Sequence, residues 1–62
     1  MTILDEVFNW FGGKARTAKA LGVDPAAVSQ WITLGYIPPA NALKVERLTD
    51  GQFKAIELSK KD

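Results

Sequence analysis

Apolar positions recur along this chain at helical rather than strand spacing. Leu4, Val7, Phe8 and Phe11 follow one another at steps of three, one and three, the stripe of a helix with one face on a core. Trp10 falls about one position off that stripe. Thr2 precedes it, and Asp5 lies three residues further on. This is a capping box with Asp in place of Glu or Gln, and Asp5 also meets the favourable end of the helix dipole. Gly12 and Gly13 end the helix. A second helix is expected over Lys14 to Leu21, KARTAKAL, stopped by Gly22, because glycine accepts the left-handed backbone needed just past a helix end. Asp24 then offers an N-cap carboxylate, and Pro25 stands at the first helical position, where a missing N–H costs nothing. The third helix runs to Leu34 and stops at Gly35.

Two short helices joined at a glycine form a helix-turn-helix unit, whose second helix can enter the DNA major groove. Helices that cross closely need a small residue at the contact, and Ala18 fills that place four residues before Gly22. Val28 is the apolar partner six residues after Gly22, and Trp31 follows one turn later. Leu21, Val28, Trp31 and Ile32 are expected to face inward, with Ser29 and Gln30 on the opposite side. Helical hairpins ending in glycine occur in small proteins of many kinds. The joint spacing of Ala18, Gly22, Val28 and Trp31 is what narrows the reading to this unit.

The run FGGKARTAKALGVDPAAVSQW resembles the helix-turn-helix of the phage Cro repressors and of the Cro-like YdaS-type proteins encoded in bacterial prophages. The likeness rests on FG, TAKALGV, AAVSQW and IP, and extends over residues 8 to 50. It falls on inward and outward positions alike. The resemblance implies a transcriptional repressor that occupies its operator and excludes RNA polymerase, in the cytoplasm of a bacterial host.

The last third reads two ways. Gly35-Tyr36-Ile37-Pro38-Pro39 is a loop, and Pro39 can begin a helix. Asn41 to Thr49 places Ala42, Val45 and Leu48 three apart, with Leu43 nearby, and Asp50-Gly51 would end that helix. Yet LKVERLTDGQFKAIEL can also form two strands around a Thr-Asp-Gly turn, since Asp-Gly is a hairpin signal. The family it resembles holds both answers: one branch is all helical, and the lambda-like branch ends in a β-hairpin. The Pro-Pro lead, the good helix formers and the likeness of IPPANALKVERLTDG to the helical branch favour helix. The expected fold is therefore all-α, five short helices around a helix-turn-helix in a lambda-repressor-like arrangement. The alternative is α+β with a C-terminal hairpin. A fifth helix over Phe53 to Leu58 would return Phe53, Ile56 and Leu58 to the core, and residues 59–62 would form a frayed charged tail. Residues 1–62 are expected to make one domain. A chain this short buries only about 60% of the surface it exposes when unfolded.

Composition removes other classes. With no cysteine and no histidine, a disulfide framework and the common zinc sites are excluded, as suits a reducing cytoplasm. No cofactor is expected. No apolar run approaches ~18 residues, and MTILDEVFNW carries acids early and no basic start, unlike a signal peptide. Asp5 and Glu6 are helix neighbours that need not share a site, the other acids lack metal-ligand spacing, and the Gly pair lacks the rest of a phosphate-cradling loop. An enzyme is not expected.

Charge matters through its distribution. The net charge is only +1, but between Lys14 and Tyr36 the bases Lys14, Arg16 and Lys19 face one acid, Asp24. Lys14, Arg16 and Lys19 are the expected phosphate contacts. They are joined by the free amides that begin the second helix. The Tyr36 hydroxyl is equally suited to a phosphate or to simple packing of its ring. Pro25, Ala26, Ser29, Gln30 and Thr33 are the expected base contacts. Gln30 can pair with adenine N6 and N7, Ser29 can bond either edge, and the methyl of Ala26 or Thr33 can touch a thymine methyl. No Arg or Lys stands among them, so strong guanine pairing is not expected. The expected partners are double-stranded DNA with a pseudo-palindromic operator and a second copy of the chain, in a weak homodimer formed on DNA. Its contact is expected in the last two segments, from among Trp10, Leu43, Phe53 and Ile56. The competing reading is an antitoxin-like interaction module, which exposed apolar area after residue 40 would favour.

Overall fold

The structure, a computed structural model, describes residues 2–60. Helices α1 (Ile3–Phe11), α2 (Lys14–Leu21), α3 (Pro25–Leu34), α4 (Pro39–Leu48) and α5 (Ala55–Leu58) follow in order, and no strand occurs among the described residues. The helical reading of the last third therefore holds over the hairpin. At the start of α1 the reciprocal cap is formed: Thr2 Oγ1 accepts from the Asp5 N–H at 3.3 Å, and Asp5 Oδ2 accepts from the Thr2 N–H at 3.4 Å.

One core joins the helices. Leu4, Val7 and Phe8 of α1 meet Ala18 and Leu21 of α2, Val28 and Trp31 of α3, Ala42 and Val45 of α4, and Ile37, Phe53 and Leu58. Each fully buried aliphatic side chain there contributes about 1.5–3 kcal/mol relative to exposure. The last helix is tied in by two hydrogen bonds to earlier parts of the chain. The Ile37 N–H donates to the Leu58 carbonyl at 2.8 Å, and Glu46 Oε1 accepts from the Ala55 N–H at 2.6 Å, at the start of α5.

Several expectations are corrected. Ile32 is 42% exposed rather than inward. It sits about 100° around the helix from Trp31, beyond the narrow arc that Val28 and Trp31 occupy. In α4 the inward stripe runs Ala42, Val45, Thr49, and Leu48 is exposed. The step from Val45 is four residues, which keeps the stripe on one face of a 3.6-residue helix. The last helix begins at Ala55, two residues later than expected, and it turns Leu58 inward while Ile56 is 80% exposed. Phe53 is buried, as expected of a core residue, which leaves little of it for the dimer contact also expected of it. Of the expected charged tail, Ser59 is bonded by its hydroxyl and its N–H to the Ala55 carbonyl, while Lys61 and Asp62 lie outside the described residues.

Thr17 and Thr49 are the buried polar residues among those described; Thr17 donates its hydroxyl to the Gly13 carbonyl at 2.8 Å, and Thr49 is fully partnered. Its hydroxyl donates to the Val45 carbonyl at 2.7 Å and accepts from the Phe53 N–H at 3.3 Å. Thr49→Val keeps the shape but leaves that N–H without its acceptor, a cost of about 1–3 kcal/mol. Thr49→Ser keeps the hydroxyl and loses only a methyl, about 0.5–1.5 kcal/mol. Urea unfolding should rank wild type above Ser and Ser above Val. A Val variant as stable as wild type would show that the bond to Phe53 contributes nothing.

Candidate nucleic-acid interface

The α2–α3 turn follows from three residues. Gly22 has φ +69°, and a Cβ there would meet nothing within 4 Å. Its place is set by backbone conformation alone, which costs an L-residue about 1–2 kcal/mol. The Val23 N–H then reaches back to the Ala18 carbonyl at 3.0 Å, closing the end of α2 as a Schellman-type cap does. One residue on, Asp24 Oδ1 accepts from the Ala26 N–H at 2.9 Å and starts α3. That carboxylate occupies the positive pole of α3, so a phosphate is not drawn to this helix end. The other helix of the pair is arranged differently. Gly13 caps α2 without a side chain, and the first-turn amides of α2 are left for an outside acceptor.

Val28 and Trp31 hold α3 to the core, and its opposite side is free. Pro25, Ala26, Ser29, Gln30 and Thr33 are all exposed. Gln30, Thr33 and Leu34 line one open depression of about 390 Å3. Thr33 donates its hydroxyl to the Ser29 carbonyl at 3.4 Å, which occupies the proton of the hydroxyl with the helix's own backbone. The expected base-contacting residues thus share the outer surface of one helix. Leu34 belongs beside them, at the step of four from Gln30 that puts two residues on one helix face.

The expected phosphate contacts are less unified. Lys14 lines a depression of about 470 Å3 at the start of α2 with Asp5, Phe8, Asn9 and Gly13, so a carboxylate shares its surroundings. Arg16 lies back over Gly12, where a Cβ would stand 3.0 Å from its Cδ and 3.2 Å from a terminal nitrogen. Gly12, with φ +95°, is therefore required twice, for its backbone and for the room it leaves Arg16. Lys19 is at the other end of α2, where it lines a groove with Lys44 and Arg47 of α4. Tyr36 is half-buried just after α3. From the sequence, Lys44 and Arg47 read only as part of the mixed charge around the expected dimer contact, because they lie outside the helix-turn-helix. Their step of three shows that they share a face of α4, but not that this face meets α2.

Among the described residues no group of histidine, cysteine or acidic side chains could hold a metal ion, and no helix is long and apolar enough to cross a membrane. A buried-sided second helix, set on the first by a three-residue turn and open along its outer face, defines a helix-turn-helix protein. Comparison with known proteins gives the particular family. The profile described as "DNA-binding transcriptional regulator Cro" matches residues 4–62, and the chain belongs to that family, one of regulators and not of enzymes. It is 43% identical over 49 residues to the regulatory protein Cro of Salmonella phage P22, a match spanning 79% of this chain and 77% of the relative. The fold is similar to the solved Cro protein from the putative prophage element Xfaso 1 of Xylella fastidiosa strain Ann-1, with a TM-score of 0.83 and 33% identity over 94% of this chain and 89% of that one.

The cap on α3 makes a direct prediction. Asp24→Ala should lower stability by about 1 kcal/mol, and Asp24→Asn by much less, because Asn also caps well. Thermal unfolding followed by circular dichroism would measure both. An Ala variant indistinguishable from wild type would mean that the carboxylate does not hold the start of α3.

Proposed function

We propose that this chain is a sequence-specific transcriptional repressor that binds double-stranded DNA, pairs two-fold on a pseudo-palindromic operator and excludes RNA polymerase by occupying it. Residues 1–62 act as one DNA-binding domain in the cytoplasm of a bacterial host. The observation that carries this reading is the outer face of α3, free along Ser29, Gln30 and Thr33 while Val28 and Trp31 fix the helix from behind. Gln30 reads an adenine edge, Ser29 bonds a neighbouring base, and Pro25, Ala26 and Thr33 fill the groove with short apolar contacts. Lys14 and Arg16 bind phosphate together with the first-turn amides of α2, and Lys19 and Tyr36 make outlying phosphate contacts.

These roles separate in a competition experiment on cognate and scrambled duplexes. Wild-type affinity should fall with salt at a slope near −0.9 per phosphate, for about three to five phosphates per subunit. Lys14→Ala should weaken both duplexes alike and lower the slope by about one. Gln30→Ala should lose about 1–3 kcal/mol on the cognate duplex alone. Affinity indifferent to salt, or equal losses for Gln30→Ala on both duplexes, would refute the assignment.

Pairing follows from reach. One recognition helix spans too few base pairs for a genomic operator, and a two-fold dimer sets two such helices ~34 Å apart. Ile56, 80% exposed on α5, and Leu43, 42% exposed on α4, are the proposed contact. The charges around them, Lys44, Glu46, Arg47 and Lys54, are mixed and keep the dimer weak off DNA. Ile56→Glu should leave half-site affinity unchanged and lower full-site affinity about tenfold or more. Full-site binding as tight as wild type, seen in a titration of both sites, would exclude Ile56 from the contact.

A further inference from the structure

Lys19 comes from α2, and Lys44 and Arg47 come from α4. All three line one open groove of about 400 Å3 with Leu21, Gly22 and Leu48. No carboxylate lines it. Glu46, on the same helix as two of the cations, is engaged elsewhere, with its Oε1 on the Ala55 N–H. Lys44 is held in place because its ammonium donates to the Leu21 carbonyl at 3.4 Å, at the carbonyl end of α2 where a cation is favoured. Leu48 stands 49% exposed at the groove, although its helix has an inward stripe that could have buried an apolar residue. Three positive charges around an apolar patch complement a surface that is both acidic and apolar.

We propose that this groove docks an acidic protein segment carrying an apolar side chain. Carboxylates of the segment meet Lys19, Lys44 and Arg47, and the apolar side chain covers Leu48. A partner of this kind suits the site better than a DNA backbone, because sugar-phosphate brings charge but little to bury Leu48. Since Lys19 is also a proposed phosphate contact, a segment docked here would compete with one DNA contact and leave α3 itself free. The surface is therefore suited to a partner that acts on the bound protein or loosens it.

The test is a titration of the 15N-labelled full chain with a capped 12-residue synthetic peptide of Asp and Glu that carries two leucines four residues apart. Saturable amide shifts are expected at Lys19 to Gly22 and Lys44 to Leu48. Lys44→Glu with Arg47→Glu, and separately Leu48→Ser, should each weaken binding about tenfold, as should removal of the peptide leucines. The milder Lys44→Ala with Arg47→Ala should act in the same direction if charge reversal disturbs folding. Half-site affinity of the Lys44→Ala, Arg47→Ala variant, which does not involve pairing, should stay within about twofold of wild type, since neither residue is among the proposed phosphate contacts. The proposal is overturned by shifts that map elsewhere, or by equal binding of a peptide without leucines. It is also overturned if that variant loses DNA affinity and salt slope, which would make the groove a DNA face. Concentration-dependent self-association abolished by Leu48→Ser, seen in sedimentation, would make the groove a contact between copies and overturn it as well.

Discussion

Of the ten residues of α3, only Val28 and Trp31 are buried, and the rest of the structure accommodates that constraint. A helix whose outer face must stay open has a narrow strip with which to attach itself. The attachment is therefore concentrated in a large aromatic residue, able to bury on the order of 150–250 Å2 by itself. It requires a close approach from α2, where Ala18 is small enough to permit one. The remaining helices act as backing. Ile37, Val45 and Leu58 close the core from the far side, and the bond from Ile37 to Leu58 links the loop after α3 to the last turn of the chain. Changes well away from α3 would thus reach it through packing, since a core this tight transmits displacement.

The two poles of α2 treat their cations differently. Lys19, in the last turn, and Lys44, bonded to the Leu21 carbonyl, both stand where the helix dipole welcomes positive charge. Lys14 and Arg16 stand at the opposite pole, where the dipole opposes them. Their positions make poor sense as stabilising surface charges, and a phosphate bound as proposed would relieve the repulsion between the cations and the helix end. The dipole of α2 thus favours Lys19 and Lys44 where they stand and opposes Lys14 and Arg16, even though all four are exposed.

Most of the fold was legible because periodicity and punctuation agreed. Thr2 with Asp5, Gly22, Asp24-Pro25, Gly35 and Pro38-Pro39 bracket the first three helices and start the fourth, and each bracket has its own local chemistry. The failures share a cause. Ile32, Leu48 and Ile56 are as apolar as the residues that were buried, and hydrophobicity says which side chains gain from an interior, not how many the interior can take. Thr49 shows the converse: a polar residue entered the core because local backbone groups satisfied its hydroxyl. At the interface, the residues along α3 could be read from the period of one helix. The joining of Lys19 with Lys44 and Arg47 could not, since it depends on how α4 crosses α2.

Asp50 and Gly51 both have left-handed backbones, with φ of +53° and +83°, and the Gly51 N–H closes on the Glu46 carbonyl at 2.8 Å as α4 ends. Two successive positive φ angles are also what the tightest two-residue hairpin demands. The dipeptide that reads as a hairpin signal therefore adopts hairpin-like angles while serving a helix. In evolutionary terms, the joint is neutral between the two architectures. A lineage exchanging helix for strand in this region would need to rewrite the flanks, from a period of 3.6 to a period of two, and could inherit the corner unchanged.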